Sequence, residues 1–278
     1  MAVSSASSTS PASTTTAQSS PLVMRIIAAC ALAHLINDLI QAVLPSIYPL
    51  LKANYGLSFA QVGMITLTFQ ITASLLQPWV GFYTDRKPMP NLLPLGTLCT
   101  LVGIVMLAYV GSFPMILLAA ALVGIGSSTF HPETSRIARL ASGGRFGLAQ
   151  STFQVGGNAG SAFGPLLAAA IIIPFGQGNV VWFGLFAIFA VLVTYGLSRW
   201  YKEHLNLFRA KQGQRATHGL SRQRVIGALV VLGLLVFSKY FYMASFTSYF
   251  TFYLIEKFDL SVGSSQLHLF LFLGAVAA

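Results

Sequence analysis

Residues 24–51 read MRIIAACALAHLINDLIQAVLPSIYPLL. The stretch is longer than the roughly 20 apolar residues that cross a bilayer. Four polar side chains interrupt it: His34, Asn37, Asp38 and Gln41. Their spacings of three, four and seven put them in one stripe along a helix, while the other faces are Ile, Leu, Val and Ala. A carboxylate at mid-membrane costs roughly 2.5–3.5 kcal/mol on insertion scales, so the stripe must face protein or water rather than lipid. It is expected to line an internal cavity, because Asp38 is ionisable. The alternative is a set of hydrogen bonds that only packs one helix on another.

Of the 278 residues, 55% are hydrophobic and 8% charged, with a mean hydropathy of +0.73. Soluble domains carry roughly 25% charged residues, so the chain reads as an all-α, polytopic membrane protein. Cys30 and Cys99 lie in apolar segments and read as small buried thiols. Residues 1–23 are Ser, Thr, Ala and Pro and read as a disordered tail. They lack the basic start of a secretory signal. Eight apolar segments follow, near 24–51, 59–83, 92–110, 115–140, 146–173, 180–201, 225–254 and 262–278. Continuous apolar runs of this length imply helices.

The basic residues set the expected orientation. Arg25, Arg86, Lys87, Arg136, Arg139, Arg145, Arg199, Lys202, Arg209, Lys211, Arg215, Arg222 and Arg224 fall on one side, and only Lys52 and Lys257 on the other. The amino terminus is therefore expected in the cytoplasm of a cell-membrane protein. The net charge of +10 then fixes topology and meets anionic headgroups, and no nucleic-acid partner is expected. The remaining basic residue, Lys239, lies in mid-segment at a depth comparable to Asp38. The two are expected either to pair or to hold a proton and an anionic substrate separately.

Tyr55-Gly56-Leu57-Ser58 and Phe258-Asp259-Leu260-Ser261 occupy equivalent places between consecutive segments, 203 residues apart. With the basic stretch between them, they suggest a six-plus-six design. On this reading residues 24–201 are a first half, 202–224 a linker, and 225–278 an incomplete second half, eight helices of an expected twelve. The chain is then expected to be a truncated product.

The loop after the second segment reads Gly81-Phe-Tyr-Thr-Asp85-Arg86-Lys87-Pro88-Met-Pro90. It resembles the conformational-switch loop of the major facilitator superfamily, Gly-x-x-x-Asp-(Arg/Lys)-x-Gly-(Arg/Lys)-(Arg/Lys). Gly81, Asp85 and Arg86 match, whereas Pro88-Met89-Pro90 replaces the end. Gly81 is expected to allow close helix approach. In the fifth segment Gly156, Gly160 and Gly164 recur every four residues, a packing face, and Gln150, Gln154 and Asn158 recur on roughly the opposite face, which is expected to line the cavity. Gly160-x-x-x-Gly164-Pro165 is similar to the antiporter motif of the superfamily, although Ala168 and Ala169 stand where that motif has glycines.

Phe130-His131-Pro132-Glu133, taken with the loop above and with His34-Asn37-Asp38, resembles the fosmidomycin-resistance branch of the superfamily from Met24 onward. The resemblance implies a proton-coupled exporter of a small drug or metabolite, driven by the proton gradient without a cofactor and monomeric when full length. Asp38, Glu133, His34 and His131 are the residues able to change protonation. Glu133 equally reads as a salt-bridge partner of Arg136. The alternatives are an uptake carrier for a small anionic metabolite and a truncated, non-transporting protein. His34-x-x-x-Asp38 has metal-ligand spacing, but two ligands are too few and no metal is expected. Gly-x-Ser-x-Gly, His-Glu-x-x-His and phosphate-loop motifs are absent, so no catalytic residue and no enzyme activity are expected.

Overall fold

The computed structural model describes residues 22–206 and 221–277. The tail expected at 1–23 and the linker expected at 202–224 lie for the most part outside the described residues. No strand occurs among the described residues. Helices α1 and α2 run Met24–Ser46 and Tyr48–Tyr55. They correct the single segment expected over 24–51, and the break at Ile47 has a cause. Pro49 has no N–H to donate to the Pro45 carbonyl, so the hydrogen-bond ladder cannot continue, but a proline is tolerated in the first turn of a new helix.

The remaining helices are α3 (Phe59–Arg86), α4 (Leu92–Ala108), α5 (Phe113–Ala141), α6 (Phe146–Phe175), α7 (Gln177–Glu203), α8 (Arg222–Phe258) and α9 (Val262–Ala277). Six are long and apolar enough to cross a membrane: α1, α3 and α5 to α8. The apolar helices α4 and α9 have 17 and 16 residues, about 25 Å at 1.5 Å per residue. π-turns at Ile71–Leu75 and Ala168–Ile172 interrupt α3 and α6.

The two similar turn sequences have the same geometry. Gly56 (φ 60°) ends α2 in the left-handed region, with its N–H on the Lys52 carbonyl. Asp259 (φ 56°) ends α8 likewise, on the Ile255 carbonyl. Ser58 then caps α3 by accepting from the Gln61 N–H, and the Ser261 hydroxyl accepts from the Ser264 N–H at 3.2 Å.

α1 packs most extensively on α6. A Cβ added at Gly156 or Gly160 would overlap the carbonyl oxygen of Ala31 or Leu35. These glycines therefore allow backbone-to-backbone contact, which dispersion forces favour when lipid supplies no hydrophobic drive between helices. Around this pair, α4, α5 and α7 close a core containing Ile36, Ile40, Leu44, Ile104, Ile116 and Phe183. α9 lies on α6, and α8 lies on α9.

α8 and α9 meet the first helices at the Lys52 end of the molecule. The Gln266 side chain donates to the Ser46 carbonyl at 2.6 Å. Tyr48, Thr66 and Ser248 form a hydroxyl chain with steps of 2.9 and 3.2 Å. Toward the opposite, arginine-bearing end, residues 226–242 of α8 are exposed on all faces.

Candidate functional site

The interior holds a triad from α1 and α5. His34 Nε2 lies 3.3 Å from Asp38 Oδ2, and His131 Nε2 lies 3.5 Å from Asp38 Oδ1. The spacing of four residues within α1 brings His34 over Asp38, and the contact of α5 with α1 supplies His131. The Asn37 amide donates to Asp38 Oδ1 at 3.0 Å and the Gln41 amide at 3.4 Å. The Ser127 hydroxyl donates to Gln41 Oε1 at 3.2 Å. All four polar residues of the α1 stripe therefore belong to one network.

Both imidazoles are held from behind. His34 Nδ1 lies 2.8 Å from the Phe153 carbonyl oxygen, and His131 Nδ1 lies 3.1 Å from that of Ser127. A carbonyl only accepts, so each Nδ1 carries a hydrogen and each Nε2 faces the carboxylate. The His34 ring stacks on Phe153 with centroids 4.0 Å apart and meets His131 edge-on at 5.0 Å. A Cβ on Gly157 would strike that ring. Phe153, Ser127 and Gly157 are parts of the site that pattern reading passed over: the Phe153 and Ser127 carbonyls hold the imidazoles, the Phe153 ring and the Ser127 hydroxyl add a stack and a hydrogen bond, and Gly157 contributes by lacking a side chain.

His34 is buried, whereas the side chains of Asp38 and His131 are 17% and 28% exposed, so the triad can be reached. The pairing expected of Asp38 and Lys239 is corrected. Asp38 meets the two histidines, while Lys239 lies in the exposed stretch of α8 with its ammonium 5.7 Å from the Tyr240 ring centre. At this end α8 packs on no helix that could bring Lys239 to α1. The expectation of too few metal ligands is corrected as well, because His131 joins His34 and Asp38 with one ligand atom from each, all within 4.8 Å.

Glu133, two residues beyond His131, belongs to a second cluster. It is fully buried and accepts from Arg136 at 2.5 Å, and Arg136 also donates to Asp85 at 2.6 Å and to Thr84 at 3.0 Å. Glu133 Oε2 has no hydrogen-bond partner among the described residues. Asp85 thus ties α3 to α5, and the Arg86 guanidinium covers the Phe82 ring at 3.3 Å. Gly81 does not make the close approach expected of it: a Cβ there would lie 3.7 Å from that of Pro132, an ordinary contact. On α6, Gln150 accepts from Ser135 at 3.4 Å and Gln154 donates to Asn158 at 3.1 Å, in a polar strip of their own. Pro165 continues the Gly160–Gly164 face and is buried.

A bundle of apolar helices encloses this ionisable cluster. Residues 30–278 match the Major Facilitator Superfamily, and the chain belongs to that family. It is 57% identical over 267 residues to the fosmidomycin resistance protein of Escherichia coli (strain K12), covering 96% of this chain and 65% of that protein. It is 37% identical over 254 residues to the MFS-type transporter YfnC of Bacillus subtilis (strain 168), covering 90% and 61%. The chain therefore spans less than two thirds of the length of these curated relatives. A bacterial homolog of the human lysosomal transporter Spinster, in an inward-facing and occupied conformation, superposes with a TM-score of 0.67 at 18% identity, covering 90% of this chain and 58% of that one.

Proposed function

We propose that the protein is a proton-coupled efflux carrier for a small drug or metabolite, with fosmidomycin among its substrates, working by alternating access. The observation that carries this reading is the His34–Asp38–His131 triad. With both Nδ1 atoms hydrogen-bonded to carbonyls, two Nε2 lone pairs would face a carboxylate across 3.3 and 3.5 Å. Lone pair against lone pair is repulsive unless a proton lies between them. A site inside the bundle that favours a proton, yet is partly exposed, has what coupling requires. The substrate comes from the name of the 57%-identical relative.

The test compares fosmidomycin susceptibility of cells expressing the protein and cells expressing Asp38→Asn at equal membrane abundance. The unaltered protein should raise the inhibitory concentration several-fold and the variant should not. Equal susceptibility of both to that of empty cells would refute fosmidomycin efflux, and equal protection by both would refute a coupling role for Asp38. Orientation is tested with cysteines at Ser4 and Gln214. Both should resist an impermeant thiol reagent in intact cells and react after lysis.

A further inference from the structure

We propose that His34, Asp38 and His131 also form a binding site for a divalent transition-metal ion of the zinc class, which takes the place of the proton and cross-links α1 to α5. The donor set is two imidazoles and a carboxylate, all within 4.8 Å of one another. That mixture suits zinc, cobalt, nickel or copper, whereas magnesium and calcium prefer oxygen donors throughout. The ring orientation is the one ligation needs. In metal sites a ligating histidine usually gives its other N–H to a carbonyl or carboxylate, which fixes tautomer and ring angle. Here the Phe153 and Ser127 carbonyls do this for His34 and His131.

The dimensions are close to those of a metal site. Zinc-to-nitrogen bonds of about 2.0–2.1 Å put tetrahedral ligand atoms about 3.3–3.4 Å apart. His34 Nε2 lies 3.3 Å from Asp38 Oδ2 and His131 Nε2 lies 3.5 Å from Asp38 Oδ1. With one ligand atom from each residue the three lie within 4.8 Å of one another, so the side chains draw together onto the ion by small rotations. Asn37 and Gln41 fix the carboxylate by donating to Oδ1 at 3.0 and 3.4 Å. His131 and Asp38 are partly exposed, which gives the ion an entry path and leaves a fourth position for water. Binding needs only this geometry, so it does not depend on what the protein transports.

The test uses untagged protein in detergent, titrated with Co2+ and followed by visible absorption, and with Zn2+ by calorimetry. One ion per chain should bind, with the intense ligand-field bands of tetrahedral cobalt, and excess Mg2+ should not displace it. His131→Gln and Asp38→Asn should each weaken binding by at least the roughly 10–100-fold that loss of an outer-shell partner costs. A variant with His204, His218 and His268 all changed to Gln should bind as the unaltered protein does. His131→Gln decides the matter if Asp38→Asn fails to fold, since its thermal transition can be checked independently. Binding unchanged in His131→Gln, binding lost in the triple variant, ready displacement by Mg2+, or no cobalt bands would each overturn the proposal.

Discussion

His131 and Glu133 are two residues apart on α5, and each anchors an ionisable cluster of a different kind. Glu133 is sealed from solvent and held by Arg136, a cation that stays charged at any working pH, and Arg136 also reaches Asp85 on α3. His131 faces Asp38 and His34, and a histidine can gain or lose its proton near neutrality. The first cluster carries a fixed cation and ties α3 to α5 through Asp85 and Thr84. The second can change charge with the helices in place. Proximity in sequence therefore says little about role, and the partner's chemistry says much.

The largest effect should come from removing the permanent cation. Arg136→Gln leaves the sealed Glu133 without its cation, which should cost about 3–5 kcal/mol, the range for breaking a buried pair. Thermal unfolding in detergent should show a large drop, and a small one would mean that the pair contributes little to stability. Gly160→Val comes next, because the branched side chain would overlap the Leu35 carbonyl. Overpacking of this kind costs about 1–3 kcal/mol, whereas Gly81→Ala, at an ordinary contact distance, should stay within about 0.5 kcal/mol. Similar losses for the two glycines would remove the distinction between a backbone contact and an ordinary side-chain contact. Asp259→Gly should stabilise by roughly 1 kcal/mol, since the left-handed conformation costs a side chain about that much, and a loss of stability would show that the Asp259 side chain is needed. The smallest effect concerns Lys239. Stability changes from Lys239→Gln and Asp38→Asn should add within roughly 0.3–0.5 kcal/mol, as for independent sites, and larger coupling would restore the pairing that the structure lacks.

Much of this was legible in the sequence. Apolar length located the helices, and the stripe 34-37-38-41 gave the polar face of α1, because period and bilayer thickness are properties of one segment. The paired turns at Gly56 and Asp259 were visible as similar tetrapeptides. The Glu133–Arg136 pair was legible as an i, i+3 spacing, whereas the meeting of His131 with Asp38 was not, since it depends on how α5 turns against α1. The Asp38–Lys239 expectation failed for a related reason: equal depth along two helices does not make them neighbours. Phe153 and Ser127 hold the imidazoles through carbonyl oxygens, which every residue possesses, and their side-chain contacts to His34 and Gln41 cross between helices, so neither was marked in one segment.

The most direct test of the central claim is substrate-driven proton movement. Purified protein in liposomes with an internal pH dye would be given fosmidomycin from outside, without an imposed gradient. The account predicts a saturable internal pH change with the unaltered protein, none with Asp38→Asn, and a retained change with Lys239→Gln. An equal pH change with Asp38→Asn, or fosmidomycin flux with no proton movement in the unaltered protein, would contradict it.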